Sequence, residues 1–170
     1  MSARASELEL ILILYNDPQR ARDAFEVVRA SLKTGELRLV DAAEIHKDRQ
    51  GIADFHELHD VKAWRGTLFG AAAGAVLGLL GGVAGAVVGA AVGAAAGGAV
   101  AGSLDLGFSN KLLIELKREM RPGYSALLVM VDPPWDKTFL RLIEPFMGLI
   151  YRHQLREDLV QSLRGADIQE

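Results

Sequence analysis

The chain has 170 residues, half of them hydrophobic, a formal net charge of −3 and no cysteine; that length suffices for one compact core. A sequence pI near 5.8, with no Lys/Arg stripe interleaved with aromatics, leaves no electrostatic footprint for nucleic acid. The absence of cysteine excludes disulfides, Fe–S clusters, thiolate zinc sites and thiol catalysis.

In chain order, Met1 to Glu9 carries one basic and two acidic residues and is followed by only a short apolar run, so no signal peptide is expected. Leu8 to Tyr15 is rich in Leu and Ile and closes at Asn16-Asp17-Pro18, which predicts a buried strand leading to a helix start. From Pro18 to Lys33, Ala21, Ala24, Phe25, Val28 and Leu32 recur at three- and four-residue spacing. This predicts an amphipathic helix ending near Gly35. Leu37, Leu39, Ala43 and Ile45 fit a half-buried strand, Asp48-Arg49-Gln50-Gly51 a turn, and Ile52 to His59 a returning strand.

Between Arg65 and Asp105 no residue is charged, and glycine recurs every fourth position: Gly66, Gly70, Gly74, Gly78 and Gly82, then Gly85, Gly89, Gly93 and Gly97. Residues four apart share a helical face, so each series cuts a groove free of side chains where another backbone can approach. The register changes between Gly82 and Gly85, which predicts two antiparallel helices, 66–80 and 83–103. At about 1.5 Å per residue the two arms are roughly 22 to 32 Å long, and a bilayer core is about 30 Å thick. The expectation is a membrane-inserted glycine-zipper hairpin over 65–104, with Trp64 and Arg65 at the interface. Its twelve glycines and thirteen alanines insert weakly, so packing partners are required. The competing reading is a tightly packed helical layer within a soluble assembly. Lys62 and Arg65 before the segment, and Lys111, Lys117 and Arg118 after it, place both flanks and both termini on the cytoplasmic side.

Beyond the segment, Leu112, Leu113, Leu116 and Met120 mark a helix over 109–121, stopped by Pro122-Gly123. Tyr124 to Val131 is a second buried strand, and Pro133-Pro134 opens a helix over 135–144. Leu149 to Leu155 reads as a fifth strand before a short closing helix. A continuous helix over 146–164 competes with that reading. The first six elements follow the ferredoxin-like βαββαβ plan, an α+β fold with helices on one sheet face. Residues 1–64 and 105–170 make up the domain, and the hairpin is inserted between its third strand and second helix.

The Leu8–Tyr15 strand, the hairpin of charged strands, the segment starting at Arg65-Gly66, and the run Pro122-Gly123-Tyr124-Ser125-Ala126-Leu127 resemble an uncharacterised bacterial family. Its members are small glycine-zipper predicted membrane proteins with a ferredoxin-like soluble domain. The resemblance implies architecture and membrane location over nearly the whole chain, and no assigned chemistry.

Candidate chemistry is sparse. His56-Glu57-Leu58-His59 lacks the HExxH spacing, and on a strand residues 56 and 59 point to opposite faces. His46 and His153 stand alone, and Ser103, Ser109 and Ser125 lack a nucleophile elbow. The glycines form neither a phosphate loop nor a dinucleotide fingerprint. In Asp132-Pro133-Pro134-Trp135, Trp135 reads either as an interfacial anchor or as packed on the core. No catalytic, cofactor or metal residues are assigned, and the chain is not expected to be an enzyme. It is expected to be a structural protein of the inner membrane that homo-oligomerises through its glycines to scaffold, remodel or permeate the bilayer. The alternative is a ferredoxin-like module that binds a ligand or partner.

Overall fold

The two long apolar runs become neighbouring central strands because every residue in them, whichever face it points to, has apolar company. The computed structural model describes residues 8–57, 69, 70, 72–74, 76, 110–155, 157, 158, 160 and 161. Strands β1 (Glu9–Tyr15), β2 (Asp41–Lys47), β3 (Ala53–Glu57), β4 (Ser125–Val131) and β5 (Leu149–Gln154) form one antiparallel sheet in the order β3-β2-β4-β1-β5. Helices α1 (Arg20–Thr34), α2 (Asn110–Glu119) and α3 (Trp135–Ile143), with a 3₁₀ turn at Glu144–Phe146, accompany the sheet, and the described residues 69, 70, 72–74 and 76 are helical as well. The fold is therefore mixed α+β.

Side chains alternate across a strand, and β1 and β4 are apolar in both phases. Ile11, Ile13 and Tyr15 of β1, with Leu127, Val129 and Val131 of β4, share an apolar cluster with Ala24, Phe25 and Val28 of α1 and Phe139 and Ile143 of α3. On the opposite face, Leu10, Leu12 and Leu14 and Ala126, Leu128 and Met130 cluster with Leu116 of α2, Met120, Leu155 and Val160. Phe69, Ala72, Ala73 and Val76, all from the start of the uncharged segment and all helical, belong to this second cluster. Gly70 and Gly74 are buried with them.

That placement corrects the membrane reading. Among the described residues no helix is long and apolar enough to cross a membrane. The described start of the segment spends its small, apolar side chains on the domain's own sheet. A sheet with apolar residues on both faces needs two covering layers, and alanine and glycine let a helix lie close to β-branched and leucine side chains. The transmembrane hairpin, the glycine zipper as a membrane device and the inner-membrane location are accordingly withdrawn, as is the membrane-scaffolding function. Of the nine zipper glycines, Gly66, Gly78, Gly82, Gly85, Gly89, Gly93 and Gly97 lie outside the described residues, as do Trp64 and Arg65.

The element order differs from the expected plan in one respect. β4 sits between β1 and β2, while β3 is an added edge strand beside β2. Two strand–helix–strand units, β1-α1-β2 and β4-α3-β5, therefore interleave. The expected covering of only one face also fails, since α1 and α3 cover one side and Phe69, Ala72, Ala73 and Val76 with α2 cover the other.

Local chemistry sets the ends of α1. Asp17 Oδ1 accepts the backbone N–H of Gln19 at 2.8 Å and of Arg20 at 3.2 Å, satisfying donors the first helical turn leaves without partners. Gly35 then stops the helix in the left-handed conformation, φ 77°. Ser125, fully buried at the start of β4, fastens this helix start to the sheet. Its Oγ donates to the Asp17 carbonyl at 2.6 Å and accepts the Ala21 N–H at 3.1 Å. Replacing Ser125 with alanine should leave two buried backbone groups without partners and cost about 1–2 kcal/mol in urea unfolding. A change within experimental error would show that water takes over both bonds.

Candidate functional site

The histidines singled out in the sequence do not converge among the described residues. His56 is exposed on edge strand β3, opposite Glu44 in the register, and His59 lies outside the described residues. His46 stands opposite Asp54 in the same strand pair, and His153 is on β5 at the far side of the sheet. Among the described residues no group of three or more His, Asp or Glu side chains is placed to hold a metal ion. Ser125 is engaged by α1, as described above. Trp135 packs against the α1/α3 cluster, with the Arg38 guanidinium 5.9 Å from its ring centroid, so the core reading of this residue is the one observed.

The perturbed ionisable groups sit where burial puts them. Tyr15 and Tyr151 are held protonated above the usual phenol range, chiefly by burial. The Lys47 ammonium is pushed below its ordinary value by burial and by Lys117, while Nζ donates to the Met120 carbonyl at 3.1 Å. Arg152 is held more firmly protonated, first by its hydrogen bond to Glu9. Among the described residues these four groups are spread over separate parts of the sheet and do not build an acid–base pair.

The distinctive surface lies instead where α3 hands over to β5. Pro145 sits in the 3₁₀ turn, and Met147 follows in the left-handed region at φ 51°, uncommon for a residue with a side chain. Met147 is 86% exposed, and Leu149 and Ile150, which come next but one and next but two, are 50% and 43% exposed. Gly148 between them lies so close to Ile13 and Tyr15 that a Cβ there would overlap both. The chain thus turns tightly over the core and swings Met147 outward. A cleft of about 410 Å³ opens on the α3 side, bounded by Leu140, Ile143, Met147 and Ile150. A smaller one of about 210 Å³, bounded by Tyr15, Glu119, Tyr124, Met147 and Leu149, opens on the other. Met147 stands between the two. A left-handed backbone and an exposed, flexible thioether thus occur together at this turn.

Among the described residues β5 is a free edge, and it differs from β3 at the opposite edge. β3 shows exposed Asp54 and His56, polar residues of the kind that discourage strand addition. In β5 the one formally charged side chain, Arg152, is taken up within the domain. Its Nε and Nη2 bind the two Glu9 carboxylate oxygens at 2.6 Å each, and Nη2 also reaches Asp136 at 3.0 Å. Such a forked pair fixes the guanidinium geometrically.

The sequence profile of a family described as a protein of unknown function, DUF1269, matches residues 67–166, more than half of the chain. The chain belongs to the DUF1269 family. The DUF1269 match begins inside the uncharged segment and runs through α2, β4, α3 and β5, so it contains the Met147 turn and the free edge. β1, α1, β2 and β3 lie outside it, which is less coverage than the resemblance implied. No curated protein and no solved structure matches.

Met147, Leu149 and Ile150 escaped the sequence reading because 146–155 fits either a strand or a helix. The signal present in the chain was the bracket of Pro145 and Gly148 around a lone Met. It was followed by a six-residue run in which neither alternating face is wholly apolar, as an edge strand allows.

Proposed function

We propose that this DUF1269 protein is a protein-contact module rather than a catalyst, and that its working surface is the free β5 edge with the Met147 turn. The observation that carries the reading is the exposure of Met147, Leu149 and Ile150 along a strand edge, unprotected among the described residues, of a sheet whose two faces are already covered. Backbone N–H and C=O groups on such an edge bind an extended segment by strand addition, and the flanking clefts take its alternate side chains.

The finer fold reading is ferredoxin-like. What supports it is the interleaving of β1-α1-β2 with β4-α3-β5 in the order β2-β4-β1-β5, with α1 and α3 on one face. In this reading β3, the uncharged segment and α2 form one long insertion between the second and third strands of the plan. The described residues of that insertion, Phe69, Ala72, Ala73, Val76 and Leu116, pack on the face that many such domains leave open. That directs binding to the edge.

The test is selection from a phage-displayed library of random peptides against the full chain. Sequences with alternating apolar residues should be enriched, and Ile150→Lys should weaken their binding by about tenfold or more, close to 1.4 kcal/mol. Selection of no peptide, or binding indifferent to Ile150→Lys, would refute this reading.

A further inference from the structure

We infer that β5 pairs antiparallel with β5 of a second copy of this chain, about a twofold axis passing through Tyr151, so that the two sheets run on as one. The inference rests on the contact reading above and names its partner.

Hydrogen bonding along β1 and β5 fixes which groups are available. The Leu155 N–H donates to the Leu8 carbonyl, in the same register that sets Glu9 opposite Gln154. Hydrogen-bonded and non-hydrogen-bonded pairs alternate along an antiparallel ladder. Residues 149, 151, 153 and 155 therefore turn their backbone groups toward β1, and 148, 150, 152 and 154 turn theirs outward. The outward set is what a second strand meets.

Symmetry then restricts the register. A twofold that makes two identical strands antiparallel in one sheet is perpendicular to that sheet, so opposite residues lie on the same face and must be an even number of positions apart. An axis through Arg152 would set the two Arg152 side chains, each with its own Glu9 and Asp136, directly opposite each other. Two clusters of one cation and two carboxylates carry the same net charge, and such a like-charge pairing destabilises. An axis through Tyr151 overlaps nearly the whole strand and avoids this. It places Ile150 opposite Arg152 of the second copy, Leu149 opposite its His153, and Tyr151 opposite its Tyr151. Every outward N–H and C=O from 148 to 154 then meets an outward partner.

Charge favours an identical strand as occupant. Arg152 is already held by Glu9 and Asp136 of its own subunit, so neither β5 edge brings an unpaired guanidinium to the seam. The half-exposed Leu149 and Ile150 are covered on the two faces of the joined sheet. At β3 exposed Asp54 and His56 oppose the same arrangement.

The experiment is sedimentation equilibrium on the full chain, together with single-cysteine cross-linking, which the cysteine-free sequence makes unambiguous. The wild-type mass should be twice 18.3 kDa. Ile150→Pro removes an outward N–H without removing a bond to β1 and should return the mass to that of one chain. Tyr151→Cys should cross-link to itself on oxidation, because the two positions face each other as a non-hydrogen-bonded pair with Cα atoms about 4.5 Å apart. Arg152→Cys should not. If Tyr151→Cys fails to fold, the double variant Leu149→Cys with His153→Cys should give the same dimeric product. A wild-type mass of one chain at about 100 µM, well above the micromolar range of ordinary protein contacts, overturns the inference, as does a dimer that survives Ile150→Pro and does not cross-link. If the chain is a monomer yet still selects edge-binding peptides, the contact reading stands and the self-pairing alone falls.

Discussion

Replacing Phe69 with alanine should destabilise the fold by about 3–5 kcal/mol, the range for deleting a buried aromatic ring. Phe69 is fully buried, one of the largest side chains with no exposure, and it shares its cluster with Leu10, Leu12, Leu128 and Met130 of the central strands. The loss combines the transfer of the ring and the cavity left over a sheet that cannot collapse to fill it. Urea unfolding followed by circular dichroism measures it. Under the membrane reading Phe69 would have belonged to an inserted hairpin, and its truncation would have left the stability of the α+β domain unchanged. A loss below about 1 kcal/mol, the scale of an ordinary surface-to-moderate substitution, would remove the segment from the core and reopen the question of what covers the second sheet face.

Gly148→Ala should cost about 2–3 kcal/mol, at the upper end of what overpacking a tight core costs. The added Cβ would overlap Ile13 Cγ2 and stand 2.6 Å from Tyr15 Cε1. Neither neighbour can yield easily. Ile13 sits on the central strand β1 and is fully buried, and the Tyr15 ring is wedged in the same cluster. Because the collision is specific, a double variant with Ile13→Ala should cost less than the sum of the two single changes, with a coupling of roughly 1 kcal/mol. Strict additivity would mean that β5 moves aside as a unit. That result would loosen the Met147 turn from its place over the core.

Much of the strand and helix pattern was legible in residue order. β1 and β4 showed themselves as continuous apolar runs, α1 through its spacing from Ala21 to Leu32, and its end through Gly35. These signals are local: side-chain period, a left-handed glycine, and prolines that forbid helix. The Met147 surface was not legible, because a short run after Pro145 satisfies strand and helix periods equally. What selects the strand there is the free side of β1, which is far away in sequence.

The uncharged segment shows the same division. Residue order alone predicts a helix from Gly66 onward with a groove free of side chains that demands a close apolar neighbour, and of that stretch the described residues 69, 70, 72–74 and 76 are helical. It did not establish which neighbour. Small side chains on a helix fit a lipid-embedded partner and a domain's own sheet equally well, since both supply dense apolar contact. The decision for Phe69, Ala72, Ala73 and Val76 came from the second apolar face of β1, β2 and β4. Once α1 and α3 had covered the first face, that surface remained to be removed from water, and the hydrophobic effect draws the nearest suitable helix onto it. Strand order was settled in the same way. β4 lies between β1 and β2, where both of its apolar phases are buried, a placement that no stretch of the chain states by itself.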